Sequence, residues 1–349
     1  MCPQLVQASG VSDPLDRPAL EVADPSRGVL LDVVQAGTRL VAVGERGLVI
    51  LSDDDAKTWR QADKVPTSVT LCAVQFMTPN LGWAVGHAGV VLHTLDGGET
   101  WVRQLDGLVA ADLALKAAEE AVTSKGAEDK TAAEQLAAAR LLVADGPDKP
   151  FLDLYFKDEK TGFVVGAYGL IFQTRDGGKT WESWMDRIEN PGGYHLYCIR
   201  AVGDRIYIAG EMGLFLRSTD GGKRFEQVET PYGGSYFTMT TDAQGGIVLG
   251  GLRGSAFRTI DGGATFTKIR VPVSISFSAS ARRSDGSLIF ANQGGFLLQS
   301  IDNGQSMNLV NTPRLSSVSA LLPLGTEAVV TVGVEGVNRI LLPGTDSVE

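Results

Sequence analysis

Cysteine, histidine and basic charge are all scarce in this 349-residue chain, and each shortage removes a class of function. The three cysteines, Cys2, Cys72 and Cys198, are odd in number and form no Cys-x-x-Cys pair, so neither a zinc knuckle nor a disulfide framework is expected. Cys72 and Cys198 each follow a large apolar residue in a strand-like run and read as buried small side chains. The three histidines, His87, His93 and His195, are scattered, and no metal and no cofactor are expected. Acidic residues outnumber basic ones 41 to 31, a net charge of −10 that argues against nucleic acid as a partner. No run of 18 apolar residues occurs, so the chain is not expected to span a bilayer. Met1-Cys-Pro-Gln lacks the charged and apolar regions of an export signal.

Glycine, by contrast, is abundant, and its placement is periodic. Gly44-Glu45-Arg46-Gly47, Gly86-His87-Ala88-Gly89, Gly166-Ala167-Tyr168-Gly169, Gly210-Glu211-Met212-Gly213, Gly251-Leu252-Arg253-Gly254, Asn292-Gln293-Gly294-Gly295 and Gly333-Val334-Glu335-Gly336 are seven copies of one turn. Five residues after the second glycine comes Ser52, Thr94, Thr174, Ser218, Thr259 or Ser300 in the first six copies, and Leu341 in the seventh. From that hydroxyl runs Ser/Thr-x-Asp-x-Gly-x-Thr-aromatic, best kept as Thr94 to Trp101 and Thr174 to Trp181. Its aspartates are Asp54, Asp96, Asp176, Asp220, Asp261 and Asp302.

A repeat of about 41 residues holding four short strands predicts a β-propeller. The fold class is therefore all-β, a seven-bladed propeller in which residues 1–349 form one domain. In each unit, strands a and b precede the Gly-x-x-Gly turn, strand c follows it, and the Asp turn closes c onto d. The seventh unit lacks the Asp turn and has little chain left for strand d. The N-terminal segment 1–28 is expected to close that blade, with Leu5-Val6-Gln7 or Leu20-Glu21-Val22 as the added strand.

One interval, Gly86 to Gly166, is about twice the others. The excess, residues 106–149, carries Leu108, Ala111, Leu115, Ala118 and Val122, then Ala132, Leu136, Ala139 and Val143, at helical spacing. It reads as an α-helical hairpin inserted between blades 2 and 3. Both flanking blades are complete without it, so it is expected to be separable from the fold and to act as a partner contact.

Strand alternation puts the Gly-x-x-Gly turns, the hairpin and two aromatic loops on one face, and the Asp turns on the other. The loops are 187–195 and 230–236. The recognition residues expected on that face are Glu45, Arg46, His87, Tyr168, Tyr194, His195, Glu211, Met212, Tyr232, Tyr236, Arg253, Gln293 and Glu335. No catalytic residue is assigned. A sialidase would need three clamping arginines, and only Arg46 and Arg253 occupy these turns. A carboxylate pair drawn from Glu45, Glu211 and Glu335 keeps a glycoside hydrolase or a lectin open as the alternative. The acidic run Ser52-Asp53-Asp54-Asp55 lacks the glycine and the bidentate glutamate of a calcium loop and reads as a turn.

The Gly-x-x-Gly turn followed by Ser/Thr-x-Asp-Gly-Gly-x-Thr-Trp resembles the BNR (Asp-box) propellers. In particular, Trp83 to Thr94 with Asp96 to Trp101, and Asp13-Pro-Leu-Asp-Arg-Pro18, resemble the photosystem II stability and assembly factor family and its relatives in non-photosynthetic bacteria. The resemblance implies a non-enzymatic, exported, periplasmic protein that binds a membrane-protein partner during assembly. In the non-photosynthetic branch it implies a companion of RND-type transporters. Photosynthetic members carry an arginine-rich client surface, from which this chain departs.

Overall fold

The structure, a computed structural model, describes residues 12–126 and 128–343. Seven antiparallel sheets stand around a central axis, their innermost strands being Leu30–Ala36, Leu71–Phe76, Phe151–Phe156, Leu196–Val202, Tyr236–Thr241, Phe277–Arg282 and Val318–Leu324. Among the described residues, six sheets have four strands in the order a-b-c-d and the seventh has three. Strands b and c are almost wholly buried because neighbouring blades cover both of their faces. No helix among the described residues is long and apolar enough to cross a membrane.

Each motif has a mechanical role. In the Gly-x-x-Gly turn the two glycines allow close approach. A Cβ on Gly86 would lie 2.1 Å from the carbonyl oxygen of Thr70, just ahead of its own strand a, and one on Gly213 would lie 2.1 Å from the Tyr232 carbonyl in the connection to the next blade. In the Asp turn, Thr94 donates to Asp96 Oδ1 at 2.8 Å, the Gly98 amide donates to Thr94 Oγ1 at 3.1 Å, and the Thr100 amide and hydroxyl donate to the two carboxylate oxygens. Trp101 then enters the apolar layer between blades 1 and 2 with Val41, Leu51 and Val74.

One sequence expectation about closure is corrected. Leu20-Glu21-Val22 does not extend blade 7: it lies along the outer strand of blade 1, where Val22 donates to Gln61 Oε1 and Gln61 donates back to the Leu20 carbonyl. The chain is steered there by the Asp13–Pro18 segment, whose Leu15 is buried between blades 1 and 2 and whose Pro14 carbonyl accepts from Ser68 at 2.8 Å. Leu5-Val6-Gln7 lies outside the described residues. The hairpin, helix α1 (Gly107–Lys125) and helix α2 (Lys130–Asp145), lies against the propeller. Asp106 and Asp129 cap the two N-termini. The alanine seam Ala110, Ala111, Ala114, Ala118 and Ala139, with Leu142, packs into the same apolar cluster as Trp181, Phe151 and Phe172 of blade 3. Two alanine-rich helices bury too little against each other to stand alone, so they lean on the propeller.

Candidate functional site

The Gly-x-x-Gly turns all project on one face, and five of their tips hold a side chain in the left-handed region where glycine is favoured. Arg46, Ala88, Tyr168, Met212 and Arg253 have φ of 53° to 55°. Each costs about 1 kcal/mol relative to a relaxed backbone. Tyr168 and Met212 are 54% and 59% exposed, and Leu252 and Val334 on neighbouring tips are exposed as well. Leu108, Val109, Leu141 and Val143, at the base of the hairpin, add further apolar surface. Large apolar groups on strained tips are poor stabilisers of the fold.

Blades 3 to 5 bring several expected residues together. The rings of Tyr168 and His195 lie 4.9 Å apart, with Lys149 Nζ 5.1 Å from the Tyr168 centroid. His195 Nδ1 sits 3.1 Å from Glu211 Oε2, which also accepts the His195 amide at 3.2 Å. From His195 the aromatic run continues through Tyr197 at 6.0 Å to Phe237 at a further 5.3 Å, where it enters the mouth of the central channel. The Tyr194 backbone is fixed from both sides by the Asn190 amide. Tyr232 lies over the Leu252 carbonyl, to which its hydroxyl donates at 3.0 Å.

Tyr236 was expected at the surface and is fully buried, its ring 5.4 Å from Tyr232 and 6.2 Å from Phe257. As the first residue of strand a it turns between blades, and burial pushes its phenol up to about 12. Glu45 and Arg46 share the tip of blade 1, and His87, Arg253, Gln293 and Glu335 each top a blade of their own. Arg46 and Arg253 stand on blades 1 and 5, three blades apart around the ring. The aspartates of the six Asp turns lie on the opposite face and are held by their hydroxyl partners.

Sequence reasoning missed the axis. Every strand a carries a bulge after its first residue, at Leu30/Asp32, Leu71/Ala73, Leu196/Cys198, Tyr236/Thr238, Phe277/Ala279 and Val318/Ala320, and at the equivalent place opposite Val165/Gly166. The bulges line a channel of about 420 Å³. At the third strand position, where other blades place Ala, Cys or Thr, blades 1 and 3 place Asp32 and Asp153. Asp153 bonds Arg200 and the Ile199 amide of blade 4. Burial raises the Asp32 carboxyl to about 6, against the amide donors Val74 and Val33 that lower it, and the charge of Asp153 adds to the rise. The signal was an aspartate inside an otherwise apolar strand. Burial likewise pushes the Cys72 and Cys198 thiols up to about 12, which leaves them inert at neutral pH.

Residues 51–129 and 140–318 match the family described as photosynthesis system II assembly factor YCF48. The chain is similar to the photosystem II assembly lipoprotein Ycf48 of Synechococcus sp. (strain CC9902), with 35% identity over 77 residues, 22% of this chain and 23% of that protein. The matched stretch thus spans about a quarter of the relative's length. A solved structure of YCF48 bound to D1 peptide superposes with a TM-score of 0.64 at 17% identity, over 94% of this chain and 99% of that one. Streptogramin B lyase superposes with a TM-score of 0.68 at 12% identity, over 95% and 100%. At such identities an assembly factor and an enzyme share the fold alone, and function has to be argued from the site.

Proposed function

The chain belongs to the family of the photosystem II assembly factor Ycf48, and from that premise we propose that it is a non-enzymatic scaffold that holds a membrane-protein partner through the face carrying its Gly-x-x-Gly turns. The observation that carries this reading is the set of side chains on left-handed turn tips, Arg46, Tyr168, Met212 and Arg253, which cost the fold energy and face outward. The aromatic run from Tyr168 to Phe237 gives that face a rigid anchor of the kind that dominates protein interfaces. The partner we infer is a subunit of an RND-type transporter, met in the periplasm. That only two arginines, Arg46 and Arg253, occupy these turns, where a sialidase clamp needs three, supports the non-enzymatic reading.

The test is extraction of native membranes in mild detergent with the tagged protein as bait, together with assays on aryl-glycoside and sialoside substrates. Recovery of a transporter subunit at near-stoichiometric level is the expected result. Glycoside turnover that disappears on Glu211→Gln would overturn the proposal.

A further inference from the structure

The hairpin does not lie flat on the propeller along its whole length. Between its inner face and the long connection from blade 3 to blade 4 it leaves a half-open cleft of about 620 Å³, within the range of small-molecule sites. The floor is apolar: alanines from both helices, including Ala114 and Ala138, face Met185, Ile188 and the Tyr168 ring. Larger residues at the alanine positions would fill this space.

The polar groups of the cleft are unbalanced. Its charged side chains are Glu134, Asp186, Glu189 and Arg224. Arg224 and Glu189 neutralise each other at 3.3 Å, and the second oxygen of Glu189 accepts the Gln227 amide. Asp186 meets Arg187 only at 3.8 Å, because that guanidinium is stacked 3.6 Å from the Trp184 centroid. Glu134 bonds no other group among the described residues. Beside it, the side-chain amide oxygen Oε1 of Gln135 is buried without a donor. What remains is the Glu134 carboxylate, the loosely paired Asp186 and an excess of acceptors above an apolar floor, and a buried acceptor left unpaired is costly.

We propose that this cleft binds a small organic monocation, an ammonium or guanidinium carried on a compact apolar body. The cation sits between the Glu134 carboxylate and the Gln135 side-chain oxygen, and the apolar body lies on the alanine floor against Met185. The cleft borders the partner-binding face at Tyr168, but the proposal does not require that reading to hold.

The probes are hexylammonium, hexanoate and methylammonium, titrated into protein carrying ¹³C-methyl methionine. The chain has six methionines, and the Met185 resonance is assigned with Met185→Leu. Hexylammonium is expected to move the Met185 methyl saturably and leave Met212, on its exposed turn tip, in place. Hexanoate is expected not to move it, and methylammonium to bind at least ~10-fold more weakly for want of the apolar contact. Glu134→Gln should weaken hexylammonium by ~10-fold or more, the scale of one charge-assisted hydrogen bond. Ala138→Leu should abolish binding by filling the cleft. Both positions are exposed, so both variants fold, which circular dichroism checks. A lysine presented by a protein carries the same group, and acetyl-Gly-Gly-Lys-Gly-Gly-amide separates the sources: weaker binding than hexylammonium assigns the site to a small molecule, and tighter binding overturns that assignment. The proposal also fails if hexanoate moves Met185 equally, if Ala138→Leu retains affinity, or if Met185 stays fixed at every concentration the folded protein tolerates.

Discussion

Asp32 in the inner strand of blade 1 accepts the backbone amide of Val74 in the inner strand of blade 2 at 2.9 Å, so a titratable side chain stitches two blades together at the axis. Its other oxygen accepts the Val33 amide at 2.8 Å. Asp153 makes the same stitch from blade 3 to Ile199 of blade 4. Between blades 2 and 3 the amide of Gln75 takes over, exchanging two hydrogen bonds with the Phe156 backbone.

This stitch has a pH signature. The Asp32 carboxyl is raised from 3.8 to about 6 in the folded protein, chiefly by burial, so between those values the native state binds more protons than the unfolded chain. Stability contributed by this group therefore falls as pH rises from 4 to 6 and stays lower above 6, by on the order of 2 kcal/mol. Urea unfolding of wild type and Asp32→Asn at pH 4 and pH 7 measures it. The wild-type advantage over the variant should shrink by that amount on going to pH 7; a difference independent of pH would show that Asp32 is not held protonated.

The Asp turns titrate in the opposite sense. The Thr58 amide and hydroxyl hold Asp54 at about 2, and the Thr265 hydroxyl and amide do the same for Asp261. Asp302 also lies at about 2, where the Ser306 and Ser300 hydroxyls outweigh the cost of burial. Lowered values mean stability that is present above pH 4 and lost as pH falls towards 2. Acid unfolding should therefore set in over that interval, and Thr265→Val should shift its midpoint upward by removing the hydroxyl donor while the amide remains. An unchanged midpoint would mean that the hydroxyl contributes nothing.

At Gly295 two constraints coincide. Its φ is 76°, and a Cβ there would stand 1.8 Å from the Leu315 carbonyl oxygen in the connection to blade 7. Gly295→Ala should cost about 3 kcal/mol, from left-handed strain plus displaced backbone. Gly126, between the helices, has open space around it, and Gly126→Asn should cost well under about 1 kcal/mol. Chemical denaturation of the pair compares a clash with a bare positive φ.

Because the hairpin packs on blade 3, its removal has a thermodynamic consequence that an independent insertion would lack. Replacing residues 108–148 by a short Gly/Ser linker should leave a folded propeller whose melting temperature is lower by several degrees, as the apolar layer around Trp181 loses its cover. Calorimetry decides it. An unchanged melting temperature would mean that the helices contribute no net stability.

Much of this architecture was legible because propellers repeat their mechanical parts. The spacing of Gly86, Thr94, Asp96 and Trp101 states a turn, a hydroxyl clamp and an interblade anchor in one line of residues, and six such copies with a seventh of the turn alone fix the ring. Closure was harder to read. Leu20-Glu21-Val22 alternates as an added strand would, but the decision was made by Leu15 and Pro14, whose long-range contacts with blades 1 and 2 leave no periodic trace. Tyr236 was misplaced for a related reason: it follows a polar Gly-Gly-Ser loop and looks like loop sequence, yet it is the first inward residue of strand a. The channel charges escaped notice because a lone Asp32 or Asp153 in an apolar strand acquires meaning only when seven strands meet at one axis.

The central claim concerns the outward side chains on strained turns, and the most direct measurement replaces them. A variant carrying Arg46→Gly, Tyr168→Gly, Met212→Gly and Arg253→Gly relieves left-handed strain at four tips and should be at least as stable as wild type, since each change returns about 1 kcal/mol. Used as bait on detergent-extracted membranes beside the wild type, it should fold, melt no lower, and recover the membrane-protein partner at least ~10-fold less well, as loss of exposed aromatic and arginine anchors implies. A variant that recovers the partner as efficiently as wild type would contradict the assignment of this face as the docking surface.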